Sequence, residues 1–288
     1  RHAPLGGDAA RAGGGEAGAG TQRRAVSRSS QRRVPVGRRL HGDMDWHFDI
    51  QHIGAQTRAV RDIMTDRNVV IVYLESDQKS WPAWRRRTEN ADALIAQLTE
   101  SLRERFAGYN PRLVITGHSG GGSFAWGYLN SHEEIPGEVV RFAFLDSNYS
   151  FNHADGHGDK LVKWLKEDPE RELAIIAYDD RHVEFQGKKI VSETGGTYRA
   201  TYRMVGRLEG DFDLEREAKG NVVHIHAPQI EILIHKNPQN KILHTALVGD
   251  MNGFLHAMAV GTKHEEEAPA FGPPRAYEKW IEGKEEDR

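Results

Sequence analysis

A chain of 288 residues with 38% apolar and 28% charged side chains can bury a substantial core, which excludes a mini-protein or a wholly disordered chain. Cysteine is absent, so disulfides, thiolate metal sites and a cysteine nucleophile are excluded. Mean hydropathy is −0.65 and no apolar run approaches the roughly 18–20 residues that cross a bilayer, so no membrane span is expected, and the net charge of −3 is modest.

Residues 1–40 differ from the rest. They carry nine Arg against Asp8 and Glu16, a balance of +7, which leaves −10 for the other 248 residues. Rich in Gly and Ala and nearly free of large apolar side chains, this segment cannot offset its ordering entropy and is expected to be a disordered arm. It lacks the apolar stretch of a secretory signal, and the chain opens on Arg rather than Met. The acidic remainder, expected to form one domain over 41–288, does not have the charge of a nucleic-acid binder.

From residue 41 onward, short β-branched apolar runs alternate with helical periods, the pattern of βα units around a mostly parallel sheet covered by helices on both faces. The spacing predicts a first helix over 53–64 and a strand over 69–73. Leu94, Leu98, Leu102 and Phe106 then recur every four residues behind Asn90, predicting a helix over 91–106. Strands are predicted at 113–116, 139–145, 173–177 and 242–248. Leu161, Trp164 and Leu165 mark a helix stopped near Pro169, and Thr201, Met204, Val205 and Leu208 mark another. Val223, Ile225, Ile230, Ile232 and Ile234 alternate around Pro228, as in a strand pair or an extra edge element.

The chemistry concentrates where the strand at 113–116 runs into Gly117-His118-Ser119-Gly120-Gly121, followed by a helix-like stretch. A sharp strand-to-helix turn strains Ser119 and lifts its hydroxyl clear of the sheet, while Gly117 and Gly121 let the chain pass close to itself. The backbone N–H of Gly120, at the start of the next helix, is placed to stabilise an oxyanion. No Gly-Lys-Ser/Thr follows, which excludes a phosphate-binding P-loop, and the glycine spacing fits no dinucleotide fingerprint.

On this motif and its context, residues 41–260 resemble the α/β-hydrolase superfamily. The resemblance implies a Ser-acid-His triad in chain order, with Ser119 as nucleophile. It implies an acid after the strand at 173–177, where Asp180 stands first and Asp179 close behind; Asp146, one strand earlier, is the third option. It implies a base after the last strand, where His256 is favoured over His244, read as lying within that strand, and over His264 in the charged tail. A second oxyanion donor is expected near Gly42 or Asp43 in the His41-Gly42 loop. Here the sequence departs from the superfamily: the feeding segment is basic and the earlier strands have no counterpart in residues 1–33, so the expectation is that residues 1–39 do not represent the native start or that the sheet lacks its first strands.

Trp46, Trp81, Trp84 and His118 are candidates for the substrate cleft, the Trp residues serving equally well as packing. His224-x-His226, His47-x4-His52 and His153-x3-His157 with Asp155 and Asp159 offer metal ligands but match no established metal frame, so no metal is expected. The expected activity is hydrolysis of a small carboxylic ester, or an amide, through an acyl-enzyme without any cofactor. The contrasting readings are a peptidase or amidase on the same fold and a non-catalytic binding protein of that fold. Nucleic acid and membrane are not expected partners.

Overall fold

The computed structural model describes residues 52–281. The expected arm, the His41-Gly42 loop with Gly42 and Asp43, and Trp46 lie outside the described residues.

A six-stranded sheet organises the rest. Its strands are β1 (Leu113–His118), β2 (Val139–Leu145), β3 (Glu172–Tyr178), β6 (Glu215–Lys219), β7 (Val222–Ala227) and β8 (Ile230–His235), in the order β1-β2-β3-β8-β7-β6. The first four in that order are parallel; β7 and β6 add antiparallel. A two-residue pair, β4 (Glu184–Phe185) and β5 (Lys188–Lys189), forms a separate hairpin.

Strands β2, β3 and β8 are apolar almost throughout because both faces are covered, whereas β1 leaves Val114 and Thr116 exposed. Phe142 and Phe144 of β2, Leu173 and Ile175 of β3 and Ile230, Ile232 and Ile234 of β8 enter one core. Ala143 and Leu145, Ala174 and Ile176, and Leu233 enter the other, as side chains alternate along a strand. The first core is closed by α3 (Ala91–Glu104), α4 (Gly122–Ser131), α5 (His157–Glu167) and α6 (Thr197–Leu208); the second by α1 (Ile53–Ile63) and α7 (Gly253–Ala259). Each of the buried Leu, Ile and Phe side chains contributes roughly 1.5–3 kcal/mol from burial. The remaining helix, α2 (Trp81–Arg87), lies against α4 and the turn that follows β1.

Most predicted helices form within a few residues of their expected bounds. The leucine stripe of α3 is only half-buried, and Ile95 is its deepest side chain. Two expected strands do not form. Residues 69–73 form no regular element and pair with no strand among the described residues. They lie over α1, where Arg61 Nε donates to the Val69 carbonyl at 2.8 Å and Tyr73 Oη meets Thr57 Oγ1 at 3.0 Å. Residues 242–248 form turns instead, with the Leu247 N–H donating to the Leu243 carbonyl and the Gly249 N–H to that of Thr245. The place beside β3 is taken by Ile230–His235, so the alternating segment around Pro228 becomes a hairpin whose second strand is internal to the sheet.

Candidate active site

β1 ends at His118, a single 3-10 turn spans Ser119–Gly121, and α4 begins at Gly122. Ser119 has φ +55°, a left-handed conformation that costs a non-glycine residue of the order of 1 kcal/mol or more. Two glycines make the turn possible. A Cβ on Gly117 would stand 2.5 Å from the carbonyl carbon of Gly121, and one on Gly122 would stand 1.9 Å from the Ser147 carbonyl oxygen. A Cβ on Gly121 would meet nothing, so the second close approach is at Gly122 rather than at Gly121.

Asp146 follows β2 as Ser119 follows β1. Their predecessors, His118 and Leu145, are register partners on adjacent parallel strands, so both residues leave the same carboxyl end of the sheet about one strand spacing apart. Asp146 also has positive φ, +47°, and is buried. Its Oδ2 lies 2.5 Å from His244 Nδ1, and its Oδ1 accepts from the Thr197 hydroxyl. With Nδ1–H committed to the carboxylate, the other ring nitrogen of His244 is the one left to accept a proton. Ser147 fastens this strand end to the elbow, its Oγ donating to the Gly117 carbonyl at 2.7 Å.

His118, expected to line the cleft, instead supports His244. Its Nε2 donates to the His244 carbonyl at 2.9 Å, and the two rings lie 4.3 Å apart. Burial and the neighbouring His244 push the His118 imidazole down to about 3, so it is neutral beside its partner.

Beside Asp146 and His244 opens a cleft of about 550 Å³, walled also by Tyr149, Tyr178, Thr197 and Ile242. Asp180 lines it as well, but faces the first turn of α6: its Oδ2 accepts from the Thr197 N–H at 2.8 Å, while Oδ1 has no hydrogen-bond partner among the described residues. Burial raises its pKa, and the nearby Asp146 carboxylate adds to the rise. Asp179 turns away into a two-pronged ion pair with Arg181, at 2.8 and 2.6 Å.

The structure therefore brings Asp146 and His244 to the end of the sheet that carries Ser119, and does not bring His256 there. His256 Nε2 meets Glu231 Oε1 at 2.7 Å. Glu231 belongs to the amino-end half of β8, level with Thr116 through Ala143 and Ala174. Three strand spacings across and three residues back place it about 17 Å from Ser119. His264 is equally committed elsewhere, to Asp66 at 2.8 Å and Glu267 at 3.2 Å.

Trp81 packs edge-on against Trp84 and Phe124, 5.4 and 5.0 Å between ring centres, alongside the first core. Between them, Pro82 approaches Gly120, whose Cβ position is 3.3 Å from the proline Cδ. The two Trp residues thus brace the elbow from α2, outside the cleft beside Asp146. His157, considered as a metal ligand, is fully bonded: Nδ1 accepts from the Asn152 N–H at 3.1 Å and Nε2 meets Asn130 Oδ1 at 2.8 Å. No helix among the described residues is long and apolar enough to cross a membrane.

The sequence pattern places His244 inside a strand, which counts against it as the base. A signal for it stands in the sequence: Asn237-Pro238-Gln239-Asn240 is a turn directly behind an apolar run, which makes His244 the first histidine beyond the last parallel strand. No protein-family model, curated protein or solved structure matches the chain significantly.

Proposed function

We propose that the protein is a serine hydrolase of the α/β-hydrolase type, acting on a small carboxylic ester or amide. One observation carries this reading: the buried Asp146 holds the half-exposed His244 at the sheet end where the strained Ser119 elbow leaves β1. The helix-covered parallel strands in the order β1-β2-β3-β8 are compatible with that fold, whereas the β7–β6 hairpin at the far edge is a departure from an all-parallel sheet.

In this mechanism His244 takes the Ser119 proton as Oγ attacks the substrate carbonyl, and Asp146 stabilises the imidazolium that forms. The N–H of Gly120 supports the developing oxyanion, and the imidazolium returns the proton to the leaving group. Water activated by His244 then releases the acid and restores Ser119. The triad reads Ser119-Asp146-His244, with the acid from the strand next to the elbow and not from Asp180.

The test is labelling with a fluorophosphonate probe, which reports an activated serine without knowledge of the substrate. Wild type is expected to label, and Ser119→Ala and His244→Ala are expected not to. Absence of labelling in folded wild type would point instead to a binding protein.

A further inference from the structure

Away from the elbow, β6, β7 and β8 gather histidines and glutamates on one face. His224 and His226 are two apart on β7 and project together, their rings stacked at 4.3 Å, while Ile225 between them is buried in the first core. Glu217 of β6 is the register partner of His224. One ligating atom from each of Glu217, His224 and His226 lies within 4.8 Å of the others.

We infer that Glu217, His224 and His226 form a binding site for a zinc-class divalent cation. The orientation of His224 is the strongest argument. Its Nε2 is 2.7 Å from Oε2 of the buried Glu231, whose other oxygen meets His256. A carboxylate holding the far nitrogen of a ligating imidazole is the usual outer support of a zinc site, since it fixes the tautomer and leaves the near nitrogen unprotonated. That near nitrogen, Nδ1, faces Glu217 Oε1 at 3.0 Å. Zinc bonds of about 2.0–2.2 Å at a tetrahedral angle separate nitrogen and oxygen ligands by about 3.4 Å, so a few tenths of an ångström of movement in the exposed Glu217 side chain admits the ion. Two imidazoles and one carboxylate favour zinc over magnesium or calcium, which take mainly oxygen ligands. The fourth position is left to water or to Glu215, the register partner of His226. Because β6 is exposed along its whole length, the ion would tie this edge strand to β7. The inference is independent of the proposed hydrolase activity.

Calorimetric titration of metal-free protein with Zn²⁺ tests it, with the visible absorption of the Co²⁺-loaded protein as a second readout. The expected result is saturable binding near one equivalent and a tetrahedral Co²⁺ spectrum. Glu217→Gln, an exposed change that leaves the core untouched, and His226→Ala should each weaken Zn²⁺ by at least about 10-fold, and Glu231→Gln by about 10–100-fold through His224. Binding of unchanged affinity in folded Glu217→Gln and His226→Ala, or no saturable binding by wild type, would overturn the site. In the second case His224 would hold a proton between its two carboxylates instead.

Discussion

The molecule carries two histidine–carboxylate arrangements at opposite ends of one sheet, and they are built differently. At the carboxyl end, Asp146 holds His244 beside a cleft, and both Asp146 and Ser119 have left-handed backbones. At the amino end, Glu231 lies between His256 and His224; burial opposes its ionisation, but hydrogen bonds from His224 and His256 bring its carboxyl down to about 2. The amino-end trio extends through His224 Nδ1 to the exposed Glu217. A histidine–carboxylate pair is not a catalytic signature by itself: at the carboxyl end it is accompanied by the left-handed Ser119 elbow and by a cleft beside Asp146.

Replacing the histidines one at a time gives the widest separation. His244→Ala should lower hydrolysis by at least about 10³-fold, as should Ser119→Ala, both with the fold intact by circular dichroism. His256→Ala should leave turnover within a few-fold and lower stability by about 1–3 kcal/mol in urea unfolding, because Glu231 loses a buried donor. The reverse pattern would move the active site to the amino end.

The acids separate next. Asp146→Asn removes the carboxylate charge and, with its amide oxygen on the Thr197 hydroxyl, turns an NH2 donor towards His244 Nδ1, favouring the wrong tautomer, and should cost about 10⁴-fold in kcat. Asp180→Asn keeps the cleft's shape and an acceptor for the Thr197 N–H, and should reduce turnover far less. A larger loss at Asp180 than at Asp146 would show that His244 changes partner during the reaction.

How far the site could be read from the sequence follows from the same residues. The elbow was legible because glycine spacing, an apolar strand and a following helix converge within a dozen positions. β2 and β3 were legible because a strand covered on both faces is continuously apolar. The proposed base was not, because a short apolar run such as 242–248 has the composition of either a strand or a helical turn, and tertiary contacts decide between them. Here the buried Asn237 decides: its Nδ2 donates to the carbonyls of Asp179 and Lys241, and its Oδ1 accepts from the Lys241 N–H. That clamp ends β8 and sends the chain across the carboxyl end of the sheet, carrying His244 to Asp146. The acid was narrowed to three aspartates by position, and only side-chain direction separates them: Asp179 to Arg181, Asp180 to Thr197, Asp146 to His244.

Crowding at the elbow gives a smaller effect that bears on stability. Gly122→Ala forces a methyl into the Ser147 carbonyl, a backbone atom that can move only with the end of β2, and should cost about 1–3 kcal/mol. Gly121→Ala places its methyl in open space and should fall within about 0.5 kcal/mol of wild type. Equal losses at the two positions would mean that helix propensity, not the close approach, controls this turn.

A further expected effect is a pH slope from the amino end. Glu172, at the start of β3, is buried opposite Arg141, whose guanidinium donates to the Ala257 and Val260 carbonyls at 2.9 and 2.6 Å, closing the end of α7. Burial pushes the Glu172 carboxyl up to about 8 despite the nearby Arg141 charge, against 4.5 for the free side chain. Between those two values the unfolded chain releases a proton that the folded chain retains, so stability is highest below about pH 4.5 for this group and falls as pH rises towards 8. Glu172→Gln, which cannot ionise, should flatten the decline in melting temperature between pH 5 and 8. An unchanged slope in Glu172→Gln would show that Arg141 holds this carboxylate ionised in the folded protein, making the amino end a buried ion pair and not a neutral plug.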